Sequence, residues 1–443
     1  MTTPLHRAQR RLALSIDRIA TAAALAADAR QPFMVYEHPE GFCWVEGERA
    51  RLVVSGTAAV LTMDGEERTF PYGATMFDGV RQALSTLPFD HWRVYGWVAF
   101  EVAHGPGTQE PVVHLVLPQR EIRLFEDSVL LMAGSETELD GLHERLIAAS
   151  IRAERPPEQG RVEIDLNGDD AVLYHKAATD AIDSIRAGHL DKVILSRVVP
   201  VRQEIDLAAT YLVGRKGNNP ARSFVLNLGG WEAAGFSPEI VARVTPGGDV
   251  VTQPLAGTRA LDGIPTFDSA RRDELYRDAK EVFEHAISVH LAATEMAAVC
   301  TSGTVHIRDF MSVKERGSVQ HLSSEVVGRL AVGLSRWHAL SALFPAVTAS
   351  GIPKGAACEL IQDVEQERGL YSGAVLVADA DGTLDAALVL RSVFRRAGRT
   401  WLRAGAGVVG QSSPTRELEE TREKLLSVAR FLVPDPAGAN PVE

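Results

Sequence analysis

Residues 278–300, DAKEVFEHAISVHLAATEMAAVC, decide how the rest of the chain is interpreted. Apolar residues recur here at helical spacing, which predicts one long helix with a wide apolar face. That face consists of Val282, Phe283, Ala286, Ile287, Val289, Ala293, Met296 and Ala297. Glu281 and Glu284 are three residues apart, so their carboxylates lie on one side of the helix. Because like charges at this spacing repel, the pair favours a divalent cation, although an isolated pair also fits a solvated acidic edge.

A second pair of carboxylates has the same spacing near the end of the sequence. Glu417 and Glu420 follow Pro414, which predicts the first residue of a helix with Ser413 as its N-cap. Lys424 comes one turn after Glu420. Two carboxylate pairs on two helices suit a hard cation such as Mg²⁺. The predicted magnesium ligands are Glu281, Glu284, Glu417 and Glu420.

Composition sets the broad class of protein. The chain has 443 residues, 45% of them hydrophobic and 23% charged, as in a globular protein with one large or two ordinary domains. A net charge of −12 argues against a nucleic-acid partner, since phosphate binding needs a basic surface. The three cysteines have no metal-ligand spacing, which favours the reducing cytoplasm. No apolar run is long enough to span a bilayer, so we expect no membrane association.

The order of patterns predicts an α+β fold. Residues 5–30 read as an amphipathic helix, residues 33–118 as short strands of which the last is 112–117, residues 122–132 as a further strand, and residues 136–155 as a helix. A proline-rich stretch at 152–161 is the best internal boundary. We therefore expect an N-terminal part over 1–160 and a catalytic part over 161–433, together forming one large domain. Residues 434–443 are expected to form a loose tail.

Several segments suit a close approach to a ligand. Gly257 and Thr258 follow a predicted strand, and residues 405–407, Gly-Ala-Gly, offer adjacent N–H groups for an anion nest. Tyr371 and Arg391 add a phenol and a planar cation that suit a carboxylate. Each feature also has an ordinary explanation, because glycines commonly serve turns and an arginine on a strand commonly faces solvent.

Taken together, the motifs resemble those of the chorismate-utilising enzymes over about residues 174–432. They are GFSPE (235–239), PLAGTR (254–259), EVFEH (281–285), QHL (320–322), ASGIPK (349–354), LYSG (370–373), RAGAG (403–407) and ELEETREK (417–424). The resemblance implies the α+β fold of that family, with two packed, antiparallel-rich β-sheet layers, helices outside and a deep central cleft. It also implies a Mg²⁺-dependent active site.

Other phrases resemble the salicylate synthases of siderophore pathways within that family. These are RGSVQHL (316–322), LFPAVTASG (343–351), GLYSGAV (369–375) and LDAAL (384–388). The resemblance implies conversion of chorismate to isochorismate and then to salicylate and pyruvate, by a monomer without a glutaminase subunit. Ala256, where aminodeoxychorismate synthases carry lysine, argues against that branch. An isochorismate synthase that releases isochorismate and a non-catalytic chorismate-binding relative are the alternatives.

The resemblance also implies roles for individual residues. Lys192 is the general base that activates water, and Glu239 is the general acid. We expect burial to favour the neutral amine of Lys192. His321 is placed with these catalytic residues because it lines the site by analogy. The substrate-binding residues are Leu255, Gly257, Thr258, Thr348, Tyr371, Arg391, Gly405, Ala406, Gly407 and Lys424.

Overall fold

The computed structural model describes residues 7–73, 75–105, 108, 110–154, 160 and 162–436. The strands are β1 (Ala8–Ala13), β2 (Phe33–His38), β3 (Gly41–Ser55), β4 (Ala58–Met63), β5 (Glu66–Pro71), β6 (Arg93–Val98), β7 (Val113–Leu124), β8 (Ser128–Ala133), β9 (Lys192–Val201), β10 (Arg222–Leu228), β11 (Trp231–Ser237), β12 (Ile240–Val244), β13 (Asp249–Thr252), β14 (Leu255–Ala260), β15 (His306–Arg316), β16 (Val319–Arg329), β17 (Gly351–Ile352), β18 (Ala374–Asp379), β19 (Leu384–Leu388), β20 (Ser392–Arg396) and β21 (Arg399–Val409). The helices are α1 (Arg18–Ala27), α2 (Met76–Leu84), α3 (Glu136–Arg152), α4 (Asp169–Arg186), α5 (Leu207–Gly217), α6 (Pro265–Arg277), α7 (Ala279–Val299), α8 (Arg336–Leu343), α9 (Lys354–Val364) and α10 (Pro414–Ala429), with a short 3₁₀ helix at Phe100–His104.

Antiparallel pairings arrange the strands in two connected layers. The first layer has the order β1-β8-β7-β3-β2-β10-β11-β20-β21-β9-β17. The second has the order β5-β4-β3-β7-β6-β18-β19-β12-β13-β16-β15, and β14 pairs with the part of β16 that β13 leaves free. These layers and the helices around them confirm the predicted α+β architecture.

The long strands β3 and β7 belong to both layers. The half of β7 near Val113 pairs with β6, whereas the half near Leu124 pairs with β8. A bulge between Glu48 and Ala50 interrupts the pairing of β3 with β7, next to Gly47, whose φ is 75°. Glycine tolerates this backbone conformation at little cost, so the strands can bend from one layer into the other. The sequence had predicted two strands where β7 is one continuous strand.

The main core lies between the layers. Along β2, Met34 and Tyr36 belong to this core, whereas Val35 belongs to a second core beneath α1, α3 and α5. Successive side chains of a strand face opposite sides, so the first layer contributes to both cores. Helices cover its outer face, as the resemblance implied.

The predicted helix over residues 5–30 is wrong in its first half. Residues 8–13 form β1, an edge strand whose partner β8 lies more than a hundred residues away in the sequence. The helix that follows begins at Arg18, because the Asp17 side chain caps it by accepting the N–H of Ala20 at 2.9 Å. Local composition favours helix here, and the long-range pairing with β8 overrides it.

Strands of the N-terminal part pair directly with strands of the catalytic part, as β2 does with β10 and β6 with β18. The predicted boundary lies largely outside the described residues, which omit 155–159 and 161. The predicted tail begins with Pro434, which bridges to Ile205, and Asp435, which bonds to the backbone of Glu204. Residues 437–443 of that tail lie outside the described residues. Within the described ranges, no helix is both long and apolar enough to cross a membrane.

A buried ion pair ties the two layers together. Arg222 on β10 donates to both carboxylate oxygens of Asp385 on β19, at 2.8 and 2.6 Å. The Tyr36 hydroxyl donates to the same carboxylate. Burial raises the pKa of Asp385, but the hydrogen bonds from Arg222 outweigh burial and hold that pKa below its usual value. The carboxylate is therefore charged, and its removal would leave a buried guanidinium uncompensated.

We expect Asp385→Ala to lower the free energy of unfolding by about 3–5 kcal/mol, because one partner of a buried pair is removed. Urea denaturation measures this change. Asp249→Ala is the matched control, since Asp249 forms an exposed pair with Arg329 at 2.7 Å and should cost about 1 kcal/mol or less. Replacing both members, as in Arg222→Met with Asp385→Leu, should recover most of the loss. If Asp385→Ala and Asp249→Ala lowered the free energy of unfolding equally, the Arg222–Asp385 pair would not stabilise the contact between the layers.

Candidate active site

Helix α7 turns a polar face toward the protein interior. The helix is as predicted, and Asp278 caps it, but the predicted apolar face is right only in part, since Val289 and Met296 are its fully buried members. Phe283 is 41% exposed, and Ala297 is also exposed. The buried residues of α7 are Glu281, Glu284, His285, Ser288, Val289, Ala292, Met296 and Val299. Buried carboxylates need positive partners, so this face identifies the helix as a wall of a charged site.

A cavity lies between the two layers, with α7 and α10 at one side. Its lining comes from β9 and β21 of the first layer, β14 and β16 of the second, and both helices. The predicted residues that line it are Lys192, Glu239, Leu255, Gly257, Thr258, Glu284, His321, Thr348, Tyr371, Arg391, Gly405, Gly407, Glu420 and Lys424. Ala406 is buried on β21 but does not line the cavity, since side chains alternate along a strand. Glu281 and Glu417 lie behind the lining, buried in a cluster of carboxylates.

Lys192 begins β9 and is fully buried. Its ammonium donates to Ser288 Oγ at 2.9 Å and pairs with Glu284 Oε1 at 3.0 Å. Both partners lie one turn apart on α7, so the helix holds the lysine in one position beside the cavity. Gly407 on the neighbouring strand makes room for this pair, because a Cβ there would lie 2.0 Å from Glu284 Oε1.

Glu239 lies between β11 and β12 and lines the same cavity as Lys192. Its Oε2 accepts the N–H of Leu255 at 2.8 Å, and its Oε1 accepts the hydroxyl of Thr348. Burial raises the pKa of Glu239 to about 7, although both hydrogen bonds act in the opposite direction. A carboxyl with this pKa carries a proton in a large fraction of molecules at neutral pH, as a general acid requires.

His321 connects two substrate-binding candidates. Arg391 donates from Nη2 to His321 Nε2 at 2.9 Å, while His321 Nδ1 lies 3.1 Å from Thr258 Oγ1. Burial lowers the pKa of His321 well below its usual value, so the ring is neutral. Since Nε2 accepts from Arg391, the ring proton sits on Nδ1 and is donated to Thr258. His321 therefore orients two groups of the cavity wall.

Arg391 has unused binding capacity. Its Nη1 is buried and has no hydrogen-bond partner among the described residues. Burial lowers the pKa of Arg391 to about 10, which still leaves it charged at neutral pH. A buried, unpartnered N–H of a cation that lines a cavity is suited to receive an anionic ligand.

The predicted anion nest at residues 405–407 is wrong, because these residues continue β21 as an extended strand. A nest needs alternating backbone conformations that a strand does not have. Gly405 instead lets the Tyr371 side chain lie close to the backbone of β21, since a Cβ at residue 405 would lie 3.0 Å from the hydroxyl of Tyr371. The Gly405 carbonyl accepts from Lys424 at 2.9 Å, which fixes that lysine at the cavity.

Arg403 lines the cavity and was not among the predicted site residues. It donates to Ser196, Glu365 and the backbone of residues 366–367, and its guanidinium lies 5.2 Å from the ring centre of Tyr371. It is thus a rigid support for Tyr371. In the sequence, the one indication that Arg403 belongs to the site is its position in the RAGAG motif.

Three of the four predicted metal ligands contact the ammonium of Lys280, a residue that the sequence motifs did not indicate. Lys280 Nζ lies 2.9 Å from Glu284 Oε2, 3.2 Å from Glu417 Oε1 and 3.5 Å from Glu281 Oε1. Glu420 pairs with Lys424 at 2.7 Å. We call Glu281, Glu284, Glu417 and Glu420 the glutamate cluster. Two separate helices therefore bring their carboxylates together around one positive charge.

The environments of these carboxylates differ. Burial raises the pKa of Glu417 to about 7, and burial also raises that of Glu281. For Glu284 burial is outweighed by Lys192 and Lys280, and for Glu420 by Lys424 and Lys280, so both have a pKa below the usual value. The cluster holds more negative charge than its lysines can fully stabilise.

The donor set of the cluster fits a hard divalent cation. A buried ammonium already occupies the space between the carboxylates, and Glu417 Oε2 is buried without a hydrogen-bond partner. In the present side-chain positions, no three acidic, histidine or cysteine groups of the described residues form a metal-binding group. Lys280 explains this, because the carboxylates point at its ammonium rather than at a common metal position. Oxygen ligands of this kind are those that Mg²⁺ prefers.

This fold and cavity are those of the chorismate-binding enzymes: residues 31–430 match the family described as chorismate binding enzyme, and the chain belongs to that family. The chain is 39% identical to a salicylate synthase of Mycolicibacterium paratuberculosis, over 93% of this chain and 92% of that protein. It is 31% identical to component 1 of anthranilate synthase from Haloferax volcanii, over 91% of this chain and 83% of that protein.

A solved structure supports the same fold. The menaquinone-specific isochorismate synthase of Escherichia coli superposes with a TM-score of 0.72 over 97% of this chain and 95% of that chain, at 20% identity. At this identity the likeness concerns the fold alone. It confirms the fold class that the motifs predicted.

The hydrogen bond from Thr348 to Glu239 provides a test of the carboxyl environment. Because this bond favours the carboxylate, Thr348→Val should raise the pKa of Glu239 above about 7. The measurement is ¹³C NMR of protein labelled at glutamate carboxyl groups, with Glu239→Gln to identify the resonance. Thr62→Val is the matched control, since Thr62 donates to Glu67 at the exposed surface. An unchanged or lower pKa in Thr348→Val would contradict the assigned environment.

Proposed function

We propose that the protein is a salicylate synthase that uses Mg²⁺ and converts chorismate, through isochorismate, to salicylate and pyruvate. The observation that carries the reaction type is that Lys192 and a protonatable Glu239 both line one cavity. The choice of product rests on the likeness to a salicylate synthase along nearly the whole chain. By the same resemblance, the salicylate would enter siderophore synthesis.

The first step exchanges one hydroxyl group for another. Lys192, after its ammonium has released a proton, accepts a proton from a water molecule whose oxygen adds to C2 of the chorismate ring. Glu239 in its protonated form donates a proton to the C4 hydroxyl, which leaves as water while both ring double bonds shift by one position. One proton is taken up and one is released, so the step balances. Holding base and acid in one cavity lets both act in the same transition state.

The two carboxylates of chorismate have separate partners in this proposal. Arg391, with its unpartnered Nη1, and Tyr371, supported by Arg403, bind the pyruvyl carboxylate. The ring carboxylate lies toward Gly257 and Thr258 and the glutamate cluster. Glu281, Glu284, Glu417 and Glu420 would hold Mg²⁺, which when bound supplies positive charge to the ring carboxylate.

The second step removes the enolpyruvyl side chain. Within bound isochorismate, the hydrogen on C2 passes to the methylene carbon of the side chain while the bond between C3 and the ether oxygen breaks. The products are pyruvate and the aromatic salicylate, and no external acid or base is consumed. The walls of the cavity contribute by holding the side chain over the ring in the reactive conformation.

Incubating the purified protein with chorismate and Mg²⁺ tests the proposal directly. We expect salicylate and pyruvate in equal amounts, without ammonia, glutamine or a second protein, as measured by chromatography. With EDTA in place of Mg²⁺, turnover should stop. Isochorismate as the lasting product would make the protein an isochorismate synthase, and no conversion would make it a non-catalytic relative. Full activity in EDTA would remove the metal from the proposal.

Lys192→Gln separates the two chemical steps. Loss of the base should slow conversion of chorismate by about 10²–10⁴-fold, whereas isochorismate supplied directly should still give salicylate at a much less reduced rate. Both rates are measured at a temperature equally far below the melting temperatures of variant and wild type, because Lys192 also pairs with Glu284. Equal losses on the two substrates would show that Lys192 has a structural role only.

A further inference from the structure

The environment of Lys280 is unusual for a lysine. It is the second residue of α7, near the helix N-terminus, where the backbone dipole disfavours a cation. Its side chain is only 13% exposed, although lysines are rarely buried. Helix geometry therefore does not account for its position. The carboxylates within 3.5 Å do, because they supply the charge that a buried ammonium needs.

The three lysines of the site divide the carboxylate oxygens among themselves. Lys192 pairs with Glu284 Oε1, and Lys424 pairs with Glu420 Oε1. Lys280 pairs with two oxygens that face the centre of the cluster, which are Glu284 Oε2 and Glu417 Oε1. It is thus the only one of these three that contacts both α7 and α10 carboxylates. It holds together the two helices that a shared metal ion would hold together.

A metal ion cannot join this arrangement without displacing the ammonium. Mg²⁺ requires its oxygen ligands at about 2.0–2.1 Å. Because Lys280 Nζ lies 2.9 Å from Glu284 Oε2, an ion bound to that oxygen would lie within about 5 Å of the ammonium, where like charges in a buried site repel strongly. The lysine side chain is a flexible four-carbon stem and can move away, whereas Glu284 and Glu420 are also held by Lys192 and Lys424.

We propose that Lys280 is the internal counter-ion of the glutamate cluster, and that its ammonium and a divalent cation occupy the cluster in mutual exclusion. The inference rests on the proposed function, since it concerns the metal that this function requires. Lys280 neutralises the cluster while no metal is bound and keeps α7 and α10 in place. It also weakens metal binding, because each ion that enters must displace it.

Titration with Mn²⁺, followed by the electron paramagnetic resonance signal of the free ion, tests the exclusion without any turnover. Lys280→Met keeps the length of the side chain and removes the charge. The variant should bind one Mn²⁺ at least about tenfold more tightly than the wild type, because the competing charge is gone. Lys216→Met is the matched control, since it changes net charge equally at an exposed lysine on α5 that pairs with Asp17. It should bind as the wild type does.

Thermal unfolding gives a second readout on the same proteins. In EDTA, Lys280→Met should melt below the wild type, because its cluster lacks a counter-ion, and added Mn²⁺ should raise its melting temperature more than that of the wild type. Should the variant fail to fold, crystals of the wild type grown with and without Mn²⁺ decide: the Lys280 ammonium should leave Glu284 and Glu417 when the ion is present.

Three results would overturn the inference. These are equal or weaker Mn²⁺ binding by Lys280→Met, Mn²⁺ bound in the cluster beside an unmoved ammonium, and no Mn²⁺ binding by either protein. The chorismate assay is independent of all three. A wild type that shows the expected exclusion but makes no salicylate would end the proposed product while leaving the cluster as described.

Discussion

The need to balance buried charge governs the structure around the cavity. Four glutamates are buried within one wall, and each must be compensated within a few ångströms because an isolated buried charge is very costly. Lys192, Lys280 and Lys424 provide that compensation, together with Arg259, which pairs with Glu281 at 3.0 Å. These partners come from β9, α7, α10 and β14. The same balance therefore sets how strands of both layers meet the two helices.

Burial has a different effect away from the cluster. It raises the pKa of the Glu239 carboxyl and lowers that of the His321 imidazole, so both groups tend toward the neutral form. Glu239 thus stores a transferable proton, whereas the glutamate cluster and its lysines carry fixed charges. Such a combination suits a reaction that moves a proton and anchors the carboxylates of its substrate. Arg391 stays charged beside the neutral His321, with an N–H left for a ligand.

Local patterns predicted the fold where local interactions decide it. The helix from Ala279 and the Pro414 helix agree with the sequence because their caps and spacing are encoded in adjacent residues. Pairing over long distances was not visible in the same way. Residues 8–13 resemble a helix and form an edge strand, and one continuous β7 replaces two predicted strands. The spacing of apolar residues also predicted the wrong buried face for much of α7, because that face carries carboxylates that pack against lysines.

The family motifs predicted most of the cavity lining but not how its side chains share their contacts. Glu281 and Glu284 could be paired from their spacing alone, because three residues bring side chains to one face of a helix. Lys280 is next to Glu281 in the sequence, but this position does not predict that its ammonium contacts Glu417 on another helix. Arg403 was overlooked for a similar reason, since an arginine on a strand is ordinarily exposed. Both residues acquire their roles only through tertiary packing.

The order of the cavity residues along the chain has a consequence for synthesis on the ribosome. The walls draw on β9, β14, β16 and β21, and the last contribution comes from Glu420 and Lys424 on α10. A nascent chain that has not yet released α10 from the exit tunnel holds Glu281 and Glu284 without their counterparts on that helix. Catalytic competence would then arise abruptly, late in translation, rather than growing with each strand added.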